Sequence, residues 1–316
     1  MKRLFLFTMM CLFGLFGSLN AQNNVQFYVG VDGNVSSHNS LPTYAYYAYS
    51  ISQQIYTADE MYDLSGTLTS IAFRQTNAGE YTRNLSVYLL NVEESTFASN
   101  NGWYPVTESD MVFSGNVNAP NASHAWMDIE FTTPFEYTGQ NLLVCVVDNS
   151  ATYKSGLYFD VYSHTNGLQA LNAYRDNSPF EIAKPNVTSN YNVVKNVVKF
   201  NILTEDEFKA ITVNPSPIDL GPRPNGAWMA PTKVEIGSRS QELAISAIET
   251  ENTYFQLSGY ELPATVSYAE SLTVNVDHVK GEGEVNGQLA IIYGDARKME
   301  LVNLTAIAYD PVEGDV

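Results

Sequence analysis

The amino-acid sequence predicts an all-β chain built as two successive β-sandwiches. Three observations carry this expectation. Apolar runs of strand length recur from Tyr44 to Tyr309, separated by Gly, Asn, Asp, Ser and Pro. Almost no stretch sustains the 3.6-residue apolar period of an amphipathic helix. Charged residues make up 16% of the chain, below the roughly 25% usual in soluble domains, whereas Tyr (21) and Gly (20) are abundant. With 316 residues and 45% apolar composition there is material for two ordinary cores, which excludes a small disulfide scaffold and a disordered chain.

The elements follow in order. Lys2 and Arg3 precede an apolar run from Leu4 to Phe16, and Leu19-Asn20-Ala21 supplies a small-residue exit. Residues 1–21 therefore read as a secretory signal peptide cut before Gln22, in a chain with no other run long enough to span a membrane. From residue 22 to 204 the strand candidates are Tyr46 to Tyr56, Thr67 to Arg74, Asn84 to Asn91, Met111 to Val117, Ala125 to Phe131, Leu142 to Val147, Gly156 to Tyr162 and Val194 to Leu203. Long connections at Glu93 to Asp110 and Gly167 to Asn192 favour a two-sheet sandwich of the jelly-roll type over a compact immunoglobulin domain. One short helical turn is expected at Thr57 to Met61, where Thr57 can cap and Glu60 stands three residues on.

Charge at Thr204 to Phe208 breaks the strand rhythm, and Pro and Gly cluster at Asn214 to Pro217 and Gly221 to Gly226. A boundary is placed there, with residues 205–310 forming a second unit. Its runs Ile211 to Val213, Thr232 to Ile236, Glu242 to Ile248, Phe255 to Leu257, Leu272 to Val276, Val285 to Tyr293 and Lys298 to Ile307 have immunoglobulin-like spacing without the cysteine pair. The acidic Gly/Pro tail, residues 311–316, reads as a linker to further sequence.

Sixteen basic residues face 34 acidic ones, a formal charge of −18 that would repel a phosphate backbone, so nucleic acid is not an expected partner. Removing the signal leaves Cys145 as the one cysteine, so no intramolecular disulfide is expected, and its apolar strand makes it a small inert hydrophobe. The histidines His38, His124, His164 and His278 are scattered singly and give no metalloprotease pattern. The nucleophile elbow, the Walker loop and the dinucleotide-binding glycines are missing. The chain is expected to be no enzyme.

Calcium is the plausible ion. Asp32 and Asn34, with Ser36, offer oxygen ligands at the alternating positions that open an EF-hand loop, although Ser37 replaces the glycine of that loop. Asp148, at a strand end, and Asp160, inside one, are further candidates, against the plainer reading of turn chemistry. For a ligand, Trp103 and Tyr104 in the Asn/Ser-rich connection could stack on a sugar face; the alternative is a tryptophan that pins the loop. Trp126 shares a strand face with Asp128 and Glu130 and is expected to be exposed. Tyr44, Tyr46, Tyr47 and Tyr49 are read as alternating strand residues, one pair core and the other outward.

Several phrases in order, Tyr49 to Met61, Gly66 to Phe73, Arg83 to Tyr88, Trp103 to Thr107, Val112 to Gly115 and Asn141 to Val144, resemble the adhesin-type domain of Bacteroidetes surface proteins, including the cleaved-adhesin regions of gingipains and haemagglutinins. The resemblance covers about Gln22 to Thr204. The second unit resembles the immunoglobulin-like spacers of large bacterial and spindle or ciliary proteins. These resemblances imply a secreted or surface-exposed, non-catalytic protein that recognises an extracellular glycan or a host or bacterial surface protein. A secreted hydrolase of glycans or peptides and a pure spacer are the alternatives.

Overall fold

The computed structural model describes residues 22–311 other than 32–34, 227–228, 241, 251–252 and 295–296. Residues 1–21, where a signal peptide is expected, and Asp32, Asn34, Trp228 and the tail from residue 312 lie outside the described residues. No helix among the described residues is long and apolar enough to cross a membrane.

The protein is all-β. Its first part contains β1 (Asn23–Val29), β2 (Val35–His38), β3 (Tyr49–Tyr56), β4 (Gly66–Arg74), β5 (Tyr81–Val92), β6 (Met111–Ala119), β7 (Trp126–Tyr137), β8 (Asn141–Asp148), β9 (Phe159–Ser163), β10 (Ala170–Arg175), β11 (Asn190–Asn192), β12 (Val194–Asn196) and β13 (Val198–Thr204). They form a four-stranded sheet ordered β1-β13-β4-β7, a six-stranded sheet ordered β11-β10-β3-β8-β5-β6, and a small sheet ordered β12-β9-β2. All their pairings are antiparallel.

The inner core joins the four-stranded and six-stranded sheets through residues such as Phe27, Ile71, Phe73 and Phe200 on one side and Leu85, Val87, Val144 and Val146 on the other. The outer face of the six-stranded sheet is also covered. Leu143, Cys145 and Val147 point away from the inner core and pack with Phe97, Val106 and Phe180 from the two long connections. This explains why β8 is apolar at every position but its ends: it is buried on both faces. Burial pushes the Cys145 thiol up to about 12, in keeping with an inert hydrophobe.

The sequence reading passes over β1, β2, β10 and β11. In β10, Asn172 interrupts the apolar pattern yet is buried, because the strand lies between β3 and β11 and the backbone N–H of Asn172 donates to Ser189 Oγ at 2.8 Å. The strand expected from Tyr46 begins only at Tyr49, since the chain turns at Ala45 and Tyr46. The helical turn is present as a 3₁₀ turn, Asp59–Met61, with the Thr57 N–H donating to Glu60 Oε2 at 2.8 Å.

The second part contains β14 (Ile211–Asn214), β15 (Ile218–Pro224), β16 (Thr232–Ser238), β17 (Leu243–Thr250), β18 (Phe255–Ser258), β19 (Ala264–Val266), β20 (Leu272–His278), β21 (Gly283–Tyr293) and β22 (Lys298–Tyr309). Sheets ordered β14-β16-β20-β18 and β15-β22-β21-β17-β19 enclose their own core of Ile236, Val274, Leu289, Leu304 and neighbours. The pair β15 and β22 is parallel, and no sheet mixes strands of the two parts.

Candidate functional site

The antiparallel register brings the start of β3, the end of β8 and the end of β10 to one end of the six-stranded sheet: Ser50 faces Asp148, and Arg175 faces Tyr49. Arg83, near the start of β5, arrives at the same end because Leu85 is also paired with Asp148. Arg83 and Asp148 are both fully buried and meet at 2.7 Å between Nε and Oδ2. The remaining guanidinium donors reach Thr152 O at 2.9 Å and Tyr47 O at 3.2 Å. Asp148 in turn accepts from the Thr43 hydroxyl, and from Ser150 N–H at 2.9 Å and Ser150 Oγ at 2.6 Å. A buried ion pair in which each guanidinium nitrogen and each carboxylate oxygen has a partner fixes geometry, and here it ties down two surface loops, residues 40–48 and 149–158.

Those loops carry tyrosines. Tyr47 and Tyr174 lie 4.3 Å apart between ring centres, Tyr44 and Tyr174 meet edge to face at 4.7 Å, and Tyr44 and Tyr47 at 5.1 Å. Tyr46 sits 5.6 Å from Tyr47 and 6.2 Å from Tyr153. These spacings fall in the range of favourable aromatic pairing. The inner rings support the outer ones, and Tyr46 and Tyr153 remain 56% and 72% exposed. Beside them lies a cavity of about 270 Å³ lined by Asn39, Tyr44, Tyr46, Lys154, Gly156 and Tyr158, among others. Gly156 has φ +94°, and a Cβ there would stand 2.8 Å from the Tyr81 hydroxyl, so the cavity wall requires glycine. Desolvation, followed by the neighbouring Tyr174, Tyr44, Asp176 and Tyr46, raises the Tyr47 phenol above its ordinary range. The site therefore brings together flat aromatic rings, an amide and one ammonium.

Trp103 and Tyr104 lie elsewhere, on the connection that covers the outer face of the same sheet. The Trp103 indole N–H donates to Val187 O at 2.8 Å, and Tyr104 exchanges two backbone bonds with the Gln53 side chain, at 2.9 and 3.0 Å. Both rings are half-buried against the outer core. Tyr104 also donates to Glu94 at 2.6 Å; burial and then this carboxylate push its phenol well above its ordinary range. Trp103 borders a groove of about 360 Å³ with Asn101 and residues 184–188. This geometry is that of a tryptophan pinning its loop.

Trp126 is not brought together with them. It stands at the start of β7, in the four-stranded sheet, and is half-buried instead of exposed. Lys199 Nζ lies 5.5 Å and Arg74 Cζ 5.9 Å from the ring, with Tyr28 at 5.3 Å. The acidic alternation along β7 could not reveal these cations because they come from other strands of the same sheet, β4 beside it and β13 beyond.

The aspartates expected to hold calcium have protein partners. Asp148 is held by Arg83, and buried Asp160 by Arg74 at 2.6 Å, Thr76 at 2.7 Å and His124 at 2.9 Å. An arginine already supplies the positive charge at each carboxylate, and no group of three or more metal-ligating side chains occurs among the described residues. Asp148 and Asp160 act here as counterions that anchor loops. Asp32 and Asn34 are not described.

No protein-family model matches the chain, and no curated protein matches it in sequence. Among solved structures, the cysteine protease and lectin-like domains of a surface-layer-associated protein of Clostridium difficile align over 54% of this chain and 36% of that one, with 15% identity and a TM-score of 0.28. The VesB protease of Vibrio cholerae aligns over 76% of this chain and 95% of that one, with 8% identity and a TM-score of 0.27. Likeness of this size carries no argument about the chemistry of this chain.

Proposed function

We propose that the chain is a secreted or surface-exposed binding module, without catalytic turnover, whose tyrosine-bearing strand end recognises an extracellular glycan. The observation that carries this reading is the exposed pair Tyr46 and Tyr153, on loops tied by hydrogen bonds to the buried Arg83–Asp148 pair. Aromatic rings fixed on scaffolded loops present contact area at little entropic cost, and sugar C–H faces pack on such rings. The phenols that line the cavity can also donate to sugar hydroxyls.

Binding of the full chain to a panel of immobilised neutral and acidic oligosaccharides tests this. Tyr46→Ala and Tyr153→Ala should each weaken capture by roughly 1–3 kcal/mol, the range of aromatic hot spots, with unchanged unfolding midpoints. Failure of every oligosaccharide to bind, or binding indifferent to both substitutions, would overturn the reading. Release of shortened sugars from the panel would replace it with a hydrolase.

A further inference from the structure

Lys154 lines the tyrosine cavity beside Tyr44, Tyr46 and Tyr158. Its position is set by the backbone, because its N–H donates to Ala45 O at 2.6 Å and so ties its loop to the tyrosine loop. Its ammonium lies 5.9 Å from the centre of the Tyr81 ring, an attraction that orients a cation without neutralising it. Among the described residues Lys154 has no ion pair, a state it shares with Lys184, Lys233, Lys280 and Lys298, whereas Lys195, Lys199 and Lys209 each hold a carboxylate at 2.5–2.6 Å. Among these unpaired lysines Lys154 is the one that lines the cavity of Tyr44, Tyr46 and Tyr158.

We infer that the site takes a glycan carrying a carboxylate, a uronic or sialic acid residue, with the sugar ring against Tyr46 and its carboxylate on Lys154. This rests on the glycan reading above. The overall negative charge does not forbid it, since exposed charges more than about 8–10 Å away are largely screened at physiological salt, while the adjacent ammonium acts at contact. The cavity, about 270 Å³, lies just below the roughly 300–1,000 Å³ of sites that enclose a drug-sized ligand. That size suits capture of one terminal or side-branch ring better than envelopment of an extended chain.

The test is calorimetric binding of the full chain to oligogalacturonate and to sialyllactose, each beside its carboxyl-reduced counterpart. At low salt the acidic form of at least one pair should bind on the order of tenfold more tightly than its reduced form, and the gap should narrow as salt rises. Which pair shows the gap identifies the uronate or the sialate. Lys154→Gln should abolish the gap, its loss falling on the acidic form at least tenfold more than on the reduced form, and Lys154→Arg should keep the gap. Equal affinity for acidic and reduced forms, or a gap that survives Lys154→Gln, overturns the inference. Binding of reduced forms that still depends on Tyr46 would then leave the glycan reading standing, whereas binding of none of the four overturns this inference and leaves the glycan reading to the wider oligosaccharide panel.

Discussion

At the scale of single residues the first part of the molecule is organised by buried charges, each with a partner. Lys195 is fully buried, with its ammonium 2.8 and 2.6 Å from the two oxygens of Glu60 and 2.9 Å from Ile55 O, between the rings of Tyr56 at 5.1 Å and Tyr162 at 5.6 Å. Burial would raise the Glu60 carboxyl, but attraction to Lys195 and bonds from Lys195, Tyr162 and the Thr57 backbone together hold it below its ordinary value. A carboxyl whose folded pKa is depressed adds stability above its unfolded value of 4.5, and that contribution is lost as pH falls through the folded value. Glu60→Gln should therefore cost about 3 kcal/mol at pH 7, the lower end for a broken buried pair, because it strands the lysine. In urea unfolding, the gap between wild type and variant should shrink as pH falls below 4.5. A gap independent of pH would show that the pair contributes no such linkage.

At the scale of elements, legibility depended on whether a strand's neighbours matched its own pattern. The uninterrupted apolar run of β8 marked a buried strand, and the structure buries it on both faces, but the run could not say that residues 93–110 and 167–192 supply the outer cover. Polar strand residues were misleading for the same reason. Gln54 and Asn196 are buried and exchange bonds of 2.7 and 2.8 Å across sheets, partners 142 residues apart that no local pattern can pair. The candidate site was half legible: Tyr44, Tyr46 and Tyr47 stand out in the sequence, yet Tyr153 and Tyr174 join them only through the sheet register, and the strand alternation assigned to the first three fails where the chain turns. For the loop carrying Trp103 the structure predicts a structural cost on truncation. Trp103→Ala removes a half-buried indole and leaves Val187 O without its donor. The expected loss is roughly 2–4 kcal/mol of unfolding free energy, overlapping the 3–5 of fully buried tryptophans, with glycan capture at the distant tyrosine site retained. A variant as stable as the parent would return Trp103 to the list of binding residues.

At the scale of the whole molecule, the two cores share no sheet, yet the segment between them is not a free tether. Asp206 accepts from Ser65 N–H at 2.7 Å and from Ser65 Oγ at 2.8 Å, and those bonds hold its carboxyl below its ordinary value. Phe208 packs 6.2 Å from Phe27 and 5.9 Å from Tyr62, among the residues of the first core. The second part also meets the first, with Arg239 over the Tyr62 ring at 5.0 Å and, separately, Tyr268 against Tyr28 at 4.5 Å. Charge at residues 204–208 looked like an interruption in the sequence, but physically it is a strap whose phenylalanine is partly buried against the first core and whose acids face outward or bond back. A fragment ending at Thr204 lacks both Asp206 and Phe208, whereas one ending at Lys209 keeps them. The shorter fragment should therefore be less stable by about 1–3 kcal/mol, the sum expected from a partly buried aromatic and a charge-assisted bond. In the full chain, Phe208→Ala should lower the unfolding midpoint of the first part while leaving that of the second nearly unchanged, since the lost contacts lie on the first core. Equal midpoints for the two fragments, together with a silent Phe208→Ala, would mean that the strap contributes nothing and that the first part ends at Thr204.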